Sequence, residues 1–383
     1  MKNKQRFETK NIHYEGAIDE RTGASSTPII QASTFHQTDV LNGQEFDYTR
    51  SGNPTRKALE AYIAQLESGN YGYAFASGMA AISSALMILS SGDHIVCTED
   101  VYGGTYRLLT TILPRMNIET TFVDMTDIEV IKAAIQPNTK VIYMETPSNP
   151  TLKITDMKGV VEVAKERNVL TMVDNTFMTP YYQRPLELGV DVVLHSASKF
   201  LGGHSDLIAG LAVVNDKGLA NKIKQMQNGL GNMLGVQDSW LLMRGMKTLS
   251  ARMSIHEQNA RKLANWLSGH PKVQHVYYPG LTNHPQRTIH EQQSSGYGAI
   301  VSFDVGNEEK ALQVMNQVKI PIVAVSLGAV ESILSYPAKM SHAAMPKKVR
   351  HSRGIGDGLL RYSVGIESVD DLIRDLDEAL QTL

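Results

Sequence analysis

From about Leu59 onward, short apolar runs alternate with longer stretches of helical periodicity. That alternation leaves few architectures open, because strands joined by crossover helices build a mostly parallel sheet with helices on its faces. The clearest strands are Lys140–Met144, Val169–Val173, Val190–Leu194 and Ile208–Val214, with Asp156–Arg167 as a helical crossover between the first two. Polar residues cluster just past their C-terminal ends, where open α/β sheets bind ligands. At 383 residues the chain exceeds the size at which one hydrophobic core stops growing, so two domains are expected. The first sixty residues are polar and turn-rich and read as an arm, residues 1–60. A large α/β domain follows over 61–255, and a smaller α/β domain over 256–383, after a long helical segment around Gln237–Leu267. No internal repeat or low-complexity tract interrupts this plan.

Charge narrows the partners. With 37 Lys and Arg against 39 Asp and Glu, and no block of like charge, neither nucleic acid nor an anionic membrane is an expected partner. A small-molecule substrate is. The single cysteine, Cys97, cannot form an internal disulfide, and its apolar surroundings, His94-Ile-Val-Cys97, predict a buried, inert thiol suited to a reducing cytoplasm. Met1–Arg6 is followed by no apolar segment, and the run Ala80–Leu89 is broken by Ser83 and Ser84, so neither a signal peptide nor a membrane span is expected.

The chemistry gathers after the strands. Asp174 directly follows an apolar strand, where a carboxylate is costly to bury without a cation; it either meets one or caps the next helix. His195-Ser-Ala-Ser-Lys199 sets two hydroxyls and one amine within a single turn at the edge of the sheet. Ser77-Gly-Met-Ala-Ala81 precedes a strongly helical stretch, so its free amides lie at a helix N-terminus, which favours anions. Two phosphate seats thus flank Lys199. Taken alone that lysine reads as a solvated charge, but enclosed near a strand end its amine loses proton affinity and becomes a nucleophile toward aldehydes. Pyridoxal 5'-phosphate (PLP) requires such a lysine, a phosphate seat, and a carboxylate for its pyridine nitrogen.

The motif Ser196-Ala-Ser-Lys-Phe-Leu-Gly-Gly-His204 stands with Asp174-Asn-Thr-Phe177, Glu145-Thr-Pro-Ser-Asn-Pro150, Asp100-Val-Tyr-Gly-Gly-Thr105 and Tyr48-Thr-Arg-Ser-Gly-Asn-Pro-Thr55. Together these resemble the Cys/Met-metabolism family of pyridoxal enzymes over nearly the whole chain. The resemblance implies an aspartate-aminotransferase-like (fold type I) α/β architecture, with a large, mostly parallel seven-stranded sheet and a smaller C-terminal α/β domain. It implies that Lys199 carries PLP, that Asp174 pairs with the pyridinium nitrogen, and that Gly78, Met79, Ser196 and Ser198 hold the phosphate. Tyr102 would stack on the ring and carry a proton near the leaving sulfur, unless it is an ordinary core tyrosine. Tyr48 and Arg50 resemble a pair that reaches a neighbouring subunit's phosphate, although an arm arginine is otherwise a solvated charge. The active unit would then be a dimer, and the family's usual assembly is a homotetramer. Arg361, with Asn149 and Ser326 beside it, resembles the substrate-carboxylate site; the alternative is a salt bridge to Asp370, Asp371 or Asp375.

The expected reaction is cleavage of a carbon–sulfur bond in an amino acid. Many γ-synthases and γ-lyases of cystathionine carry glutamate at the position of Val325, and methionine γ-lyases carry cysteine at that of Gly104. The run from Ala324 through Pro346 looks most like a subgroup of bacterial cystathionine β-lyases, which implies homocysteine, pyruvate and ammonia as products. The γ-activities on the same scaffold are the alternatives. A dehydrogenase is disfavoured because Gly229-Leu-Gly-Asn-Met-Leu-Gly235 has its third glycine one place late and no strand before it. His256-Glu257 and His290-Glu291 lack the second histidine of a zinc-protease helix, so no metal is expected. An idle binding protein of this fold would not need Lys199, Asp174 and Arg361 together.

Overall fold

A computed structural model describes residues 5–383. Seven strands form the larger sheet: β1 (Tyr71–Phe75), β2 (His94–Thr98), β3 (Glu119–Val123), β4 (Thr139–Glu145), β5 (Leu170–Asp174), β6 (Val192–Ser196) and β7 (Gly210–Val214). Their order is β1-β7-β6-β5-β4-β2-β3, parallel from β3 through β6, with β7 antiparallel to both β6 and β1. Both faces are covered, which is why these strands read as continuous apolar runs. Ile142 and Met144 belong to one core, while Val141 and Tyr143 belong to the other. All four are fully buried, and each contributes about 1.5–3 kcal/mol on leaving water.

The crossover helix Met157–Arg167 starts where Asp156 accepts a hydrogen bond from Gly159 N (3.1 Å), and stops at Asn168 in the left-handed conformation. That cap contributes about 1 kcal/mol, the loss expected for Asp156→Ala. Gly229–Gly235 spans the last two residues of the helix Lys217–Leu230 and the connector to the helix Val236–Met246, with Gly231 at φ +69°.

The smaller sheet contains β8 (His275–Tyr277), β9 (Ile300–Asp304), β10 (Ile322–Val323), β11 (Ile333–Ser335) and β12 (Leu359–Ser363), in the order β10-β11-β12-β9-β8. The 20-residue helix Leu249–Ser268 joins the two sheets. Its Arg252 donates to the carbonyl of Phe200 (2.8 Å) beside β6, and its His256 Nδ1 meets the carbonyl of Val364 (2.7 Å) just after β12. His290 is likewise buried against a backbone carbonyl, that of Gly296. Both histidines are structural.

Helical structure begins inside the stretch read as an arm. Asn53 accepts from Thr55 N (2.9 Å), Pro54 supplies a preset φ, and the helix Pro54–Leu66 follows. The front of the arm also packs on its own chain: Tyr14 stacks on Tyr62 at 3.9 Å, and Asn11 and Thr27 are buried. The physical reason is that Tyr62 on this helix offers a flat apolar face, and its hydroxyl finds Asn11. Farther along, Val40 and Leu41 are almost wholly exposed. Cys97 is buried in β2, and burial pushes its thiol well above the usual range. No helix among the described residues is long and apolar enough to cross a membrane.

Candidate active site

A cavity of about 1170 Å³ opens at the C-terminal ends of β4, β5 and β6 and is closed on its far side by the segment 322–327 and β12. Lys199 lies in the turn after β6, with Nζ donating to Ser326 Oγ at 2.7 Å. Burial, with a smaller contribution from Arg361, draws its ammonium down to about 8, so a neutral amine is within reach of physiological pH. Ser326 has φ +135°, an uncommon value for a residue with a side chain. Its carbonyl accepts from Arg361 Nη2 (2.8 Å), so one residue contacts both cations.

Arg361 in β12 is fully enclosed, and burial lowers its guanidinium to about 10. Nη1 donates to Asn149 Oδ1 (2.9 Å) and Nη2 also to Ser335 Oγ (3.3 Å). The salt bridge to the acidic C-terminal helix does not form; Asp375 instead accepts the backbone N–H groups of Lys319 and Ile320. Every acceptor on Arg361 is neutral. A buried guanidinium with neutral acceptors and a cavity in front of it is chemically able to receive a carboxylate.

Asp174 ends β5 and faces the same cavity. It accepts from Thr176 N (3.0 Å) and Thr176 Oγ1 (2.5 Å), a local turn. It does not cap a helix: the helix Thr179–Tyr182 begins farther on and has no side-chain cap. Burial raises its carboxyl, and the hydrogen bonds from Thr176, with His195 behind them, offset this only partly. His195 Nε2 is itself taken by the buried Glu67 (2.6 Å), which also accepts from Asn175 (2.9 Å). Asp174 therefore lacks a directly bonded cation among the described residues.

The anion seat lies at the N-terminus of the helix Gly78–Leu86, where Ser77 Oγ accepts from Ala80 N (3.0 Å). The amides of Gly78 and Met79 have no carbonyl four residues back within the helix. A Cβ on Gly78 would lie 2.8 Å from Ser196 Oγ, so only glycine lets that hydroxyl lie alongside. Ser198 lines the cavity as well, but its hydroxyl is bonded to Ala209 N (3.0 Å) and O (3.3 Å), tying the lysine turn to the start of β7. Lysine, unpaired carboxyl and amide cradle surround one cavity, and this donor set fits PLP.

Tyr102 is 40% exposed at the cavity, so it is not a core tyrosine. Its ring rests over Gly104, where a Cβ would lie 2.5 Å from Tyr102 Cε1 and 2.9 Å from Met79 Sδ. Its backbone N–H donates to Glu145 Oε2 at 2.9 Å. Glu145 was given no role of its own in the sequence reading, although it closes an apolar strand just as Asp174 does. That shared placement was the available signal. Tyr48 and Arg50 are not brought into this cavity; Arg50 donates to the carbonyl of Asn228 (3.0 Å) and lies 5.8 Å from the Tyr48 ring centroid.

Residues 8–381 match the family described as Cys/Met metabolism PLP-dependent enzyme. The cystathionine beta-lyase MetC of Bacillus subtilis is 57% identical over 98% of this chain and 97% of its own length. The cystathionine gamma-lyase of the same organism is 52% identical over 98% and 99%. A crystal structure of cystathionine gamma-lyase from Lactobacillus plantarum, complexed with L-serine, superposes with a TM-score of 0.96 at 47% identity, covering 98% of this chain and 99% of the other.

Proposed function

The chain belongs to the Cys/Met metabolism PLP-dependent enzymes, and from that premise we propose that it cleaves L-cystathionine to homocysteine, pyruvate and ammonia, as a PLP-dependent carbon–sulfur β-lyase. The observation that carries this reading is the contact of Lys199 and Arg361 with the same residue, Ser326, at one wall of a cavity that Asp174 also faces. When bound, PLP supplies an aldehyde for amino groups and a protonated ring that accepts electron density from Cα.

The chain's own residues supply the rest. Lys199 would hold the cofactor, and its amine would take the Cα proton. Asp174 would keep the ring nitrogen protonated, Gly78, Met79 and Ser196 would receive the phosphate with Ser198 bordering that seat once its hydroxyl turns from Ala209, and Tyr102 would cover the ring. Arg361, steadied by Asn149 and Ser326, holds the substrate α-carboxylate and fixes which Cα bond stands perpendicular to the ring. Tyr102 or Lys199 delivers a proton to the departing sulfur. Water then completes the conversion of the remaining three-carbon fragment to pyruvate and ammonia.

Preference for the β-bond is supported by Val325, an apolar side chain 63% exposed at the cavity. It offers the distal ammonium contact area and no hydrogen bond. Loss of one such polar contact is worth about 1–3 kcal/mol, tenfold to a hundredfold or so in preference. The γ-lyase reading is favoured by one observation: Glu331 lines the same cavity, engaged by Ser205 Oγ at 2.5 Å. Early identification of the keto acid formed from L-cystathionine separates the two. Pyruvate is expected, and predominant 2-oxobutyrate would overturn the β-lyase reading while leaving the PLP-dependent lyase intact.

Tyr48 and Arg50, outside their own chain's cavity, are read as reaching the cofactor phosphate of a neighbouring subunit, in a dimer that pairs into a homotetramer. A single buried thiol and a small amino-acid substrate suit a cytoplasmic enzyme.

A further inference from the structure

Glu145 and Asp174 end the adjacent parallel strands β4 and β5 and are registered opposite one another. Both face the cavity, and both are at least nine-tenths buried, at 5% and 6% exposure. A carboxylate at Asp174 raises the proton affinity of its buried neighbour Glu145, which favours keeping a proton on one of the pair. Their partners decide which. Asp174 accepts two hydrogen bonds from Thr176 and lies near His195. Glu145 accepts one, from Tyr102 N, and has Asp100 as a further acidic neighbour. Arg361 favours its charged form, Cys97 and Tyr143, on β2 and β4, are further titratable neighbours, and Lys199, in the turn after β6, and Tyr102 line the same cavity.

We propose that Glu145 is a positioning residue that works as a neutral carboxylic acid, holding the turn that aims Tyr102 while leaving Asp174 as the ionised carboxylate and Arg361 free for the substrate. The inference rests on the PLP-lyase reading and adds to it a residue and a protonation state. Burial, with Asp174 next, pushes the Glu145 carboxyl well above the usual range, in agreement with the geometry.

The hold is specific. Tyr102 precedes the short helix Gly103–Arg107, has no side-chain cap there, and is 40% exposed, so little else fixes its ring. One carboxyl oxygen receives its N–H. An ionised Glu145 would compete with the substrate carboxylate for Arg361 and would raise the proton affinity of Asp174, weakening its pairing with a ring nitrogen. A neutral one does neither.

The test compares E145Q and E145A holoenzymes with wild type, each also in a Y102A background. Glutamine keeps an acceptor for Tyr102 N and carries no charge, so E145Q should retain at least a third or so of wild-type kcat/KM, with an unchanged pH profile. E145A should lose about tenfold, the scale of one buried hydrogen bond. It should also weaken PLP retention, measured from the visible cofactor band during dialysis, by a similar factor. In the Y102A background, the further loss from E145A should fall below about twofold, because both changes remove one function. E145Q as impaired as E145A would overturn the neutral acid, and a full tenfold loss persisting without Tyr102 would overturn the positioning role. E145A equal to wild type would overturn both. Wild type that binds no PLP, or has no lyase activity, would instead strike the underlying functional reading.

Discussion

Removing the buried amine should stabilise the cofactor-free protein. The Lys199 ammonium has its proton affinity lowered from 10.5 to about 8 on folding, chiefly by burial. Between those values the unfolded chain binds more protons than the folded one, so stability rises with pH through that window. Below about 8 the full penalty applies. At about 1.4 kcal/mol per pH unit this is roughly 3 kcal/mol at pH 7, shrinking to about 1 kcal/mol at pH 10. Lys199→Met keeps the volume and removes the charge, but forfeits the bond to Ser326, worth about 1 kcal/mol. A net gain of about 2 kcal/mol is therefore expected at pH 7, and almost none at pH 10. Urea unfolding of cofactor-stripped wild type and variant, at matched protein concentration, reads this as a higher midpoint at pH 7 alone. An unchanged or lower midpoint at pH 7, or an equal gain at both pH values, would refute the reasoning.

Arg361→Lys should lower kcat/KM by about a hundredfold, because an ammonium does not reproduce the guanidinium fork, while the cofactor absorbance stays intact; loss of the bound cofactor would contradict the assignment. Mixed oligomers of Arg50→Ala and Lys199→Ala subunits should recover part of the activity that each lacks, since a hybrid dimer holds one complete site; inactive hybrids of demonstrated composition would count against the arm crossing to a neighbour. Cys97 should resist a thiol reagent in the native protein and react once, stoichiometrically, in denaturant, and native-state reactivity would contradict its burial.

The central strands were legible because burial on both faces leaves an unmistakable apolar run; the segment expected at Lys140–Met144 is Thr139–Glu145, and that at Val169–Val173 is Leu170–Asp174. The smaller sheet was legible only as α/β-like sequence after Val273. Its strands span two to five residues, too short for periodicity to show. Within the site, Lys199 and Asp174 stand out by residue type and place and Arg361 only through the family resemblance, whereas the contact of Lys199 with Ser326 joins residues 127 apart, which no local pattern encodes. Glu145 escaped because a glutamate closing a strand and opening a proline-rich loop reads as a boundary. The packing of Tyr14 on Tyr62 was hidden for a similar reason: turn-rich composition speaks of local conformation, not of what a segment lies upon.

The two uses of Ser326 make its position unusually hard to substitute. Glycine would relax the backbone at φ +135° and surrender the hydroxyl that Lys199 contacts. Alanine would surrender the hydroxyl and keep the strain. Threonine would keep the hydroxyl but add a branch at Cβ, where such a backbone tolerates it least. The carbonyl that steadies Arg361 belongs to the main chain, so any replacement that relaxes this backbone also shifts the acceptor of Arg361 through the peptide plane. The exposed neighbour Val325 makes no hydrogen bond to either cation, so replacing its side chain should leave the contacts of Lys199 and Arg361 in place.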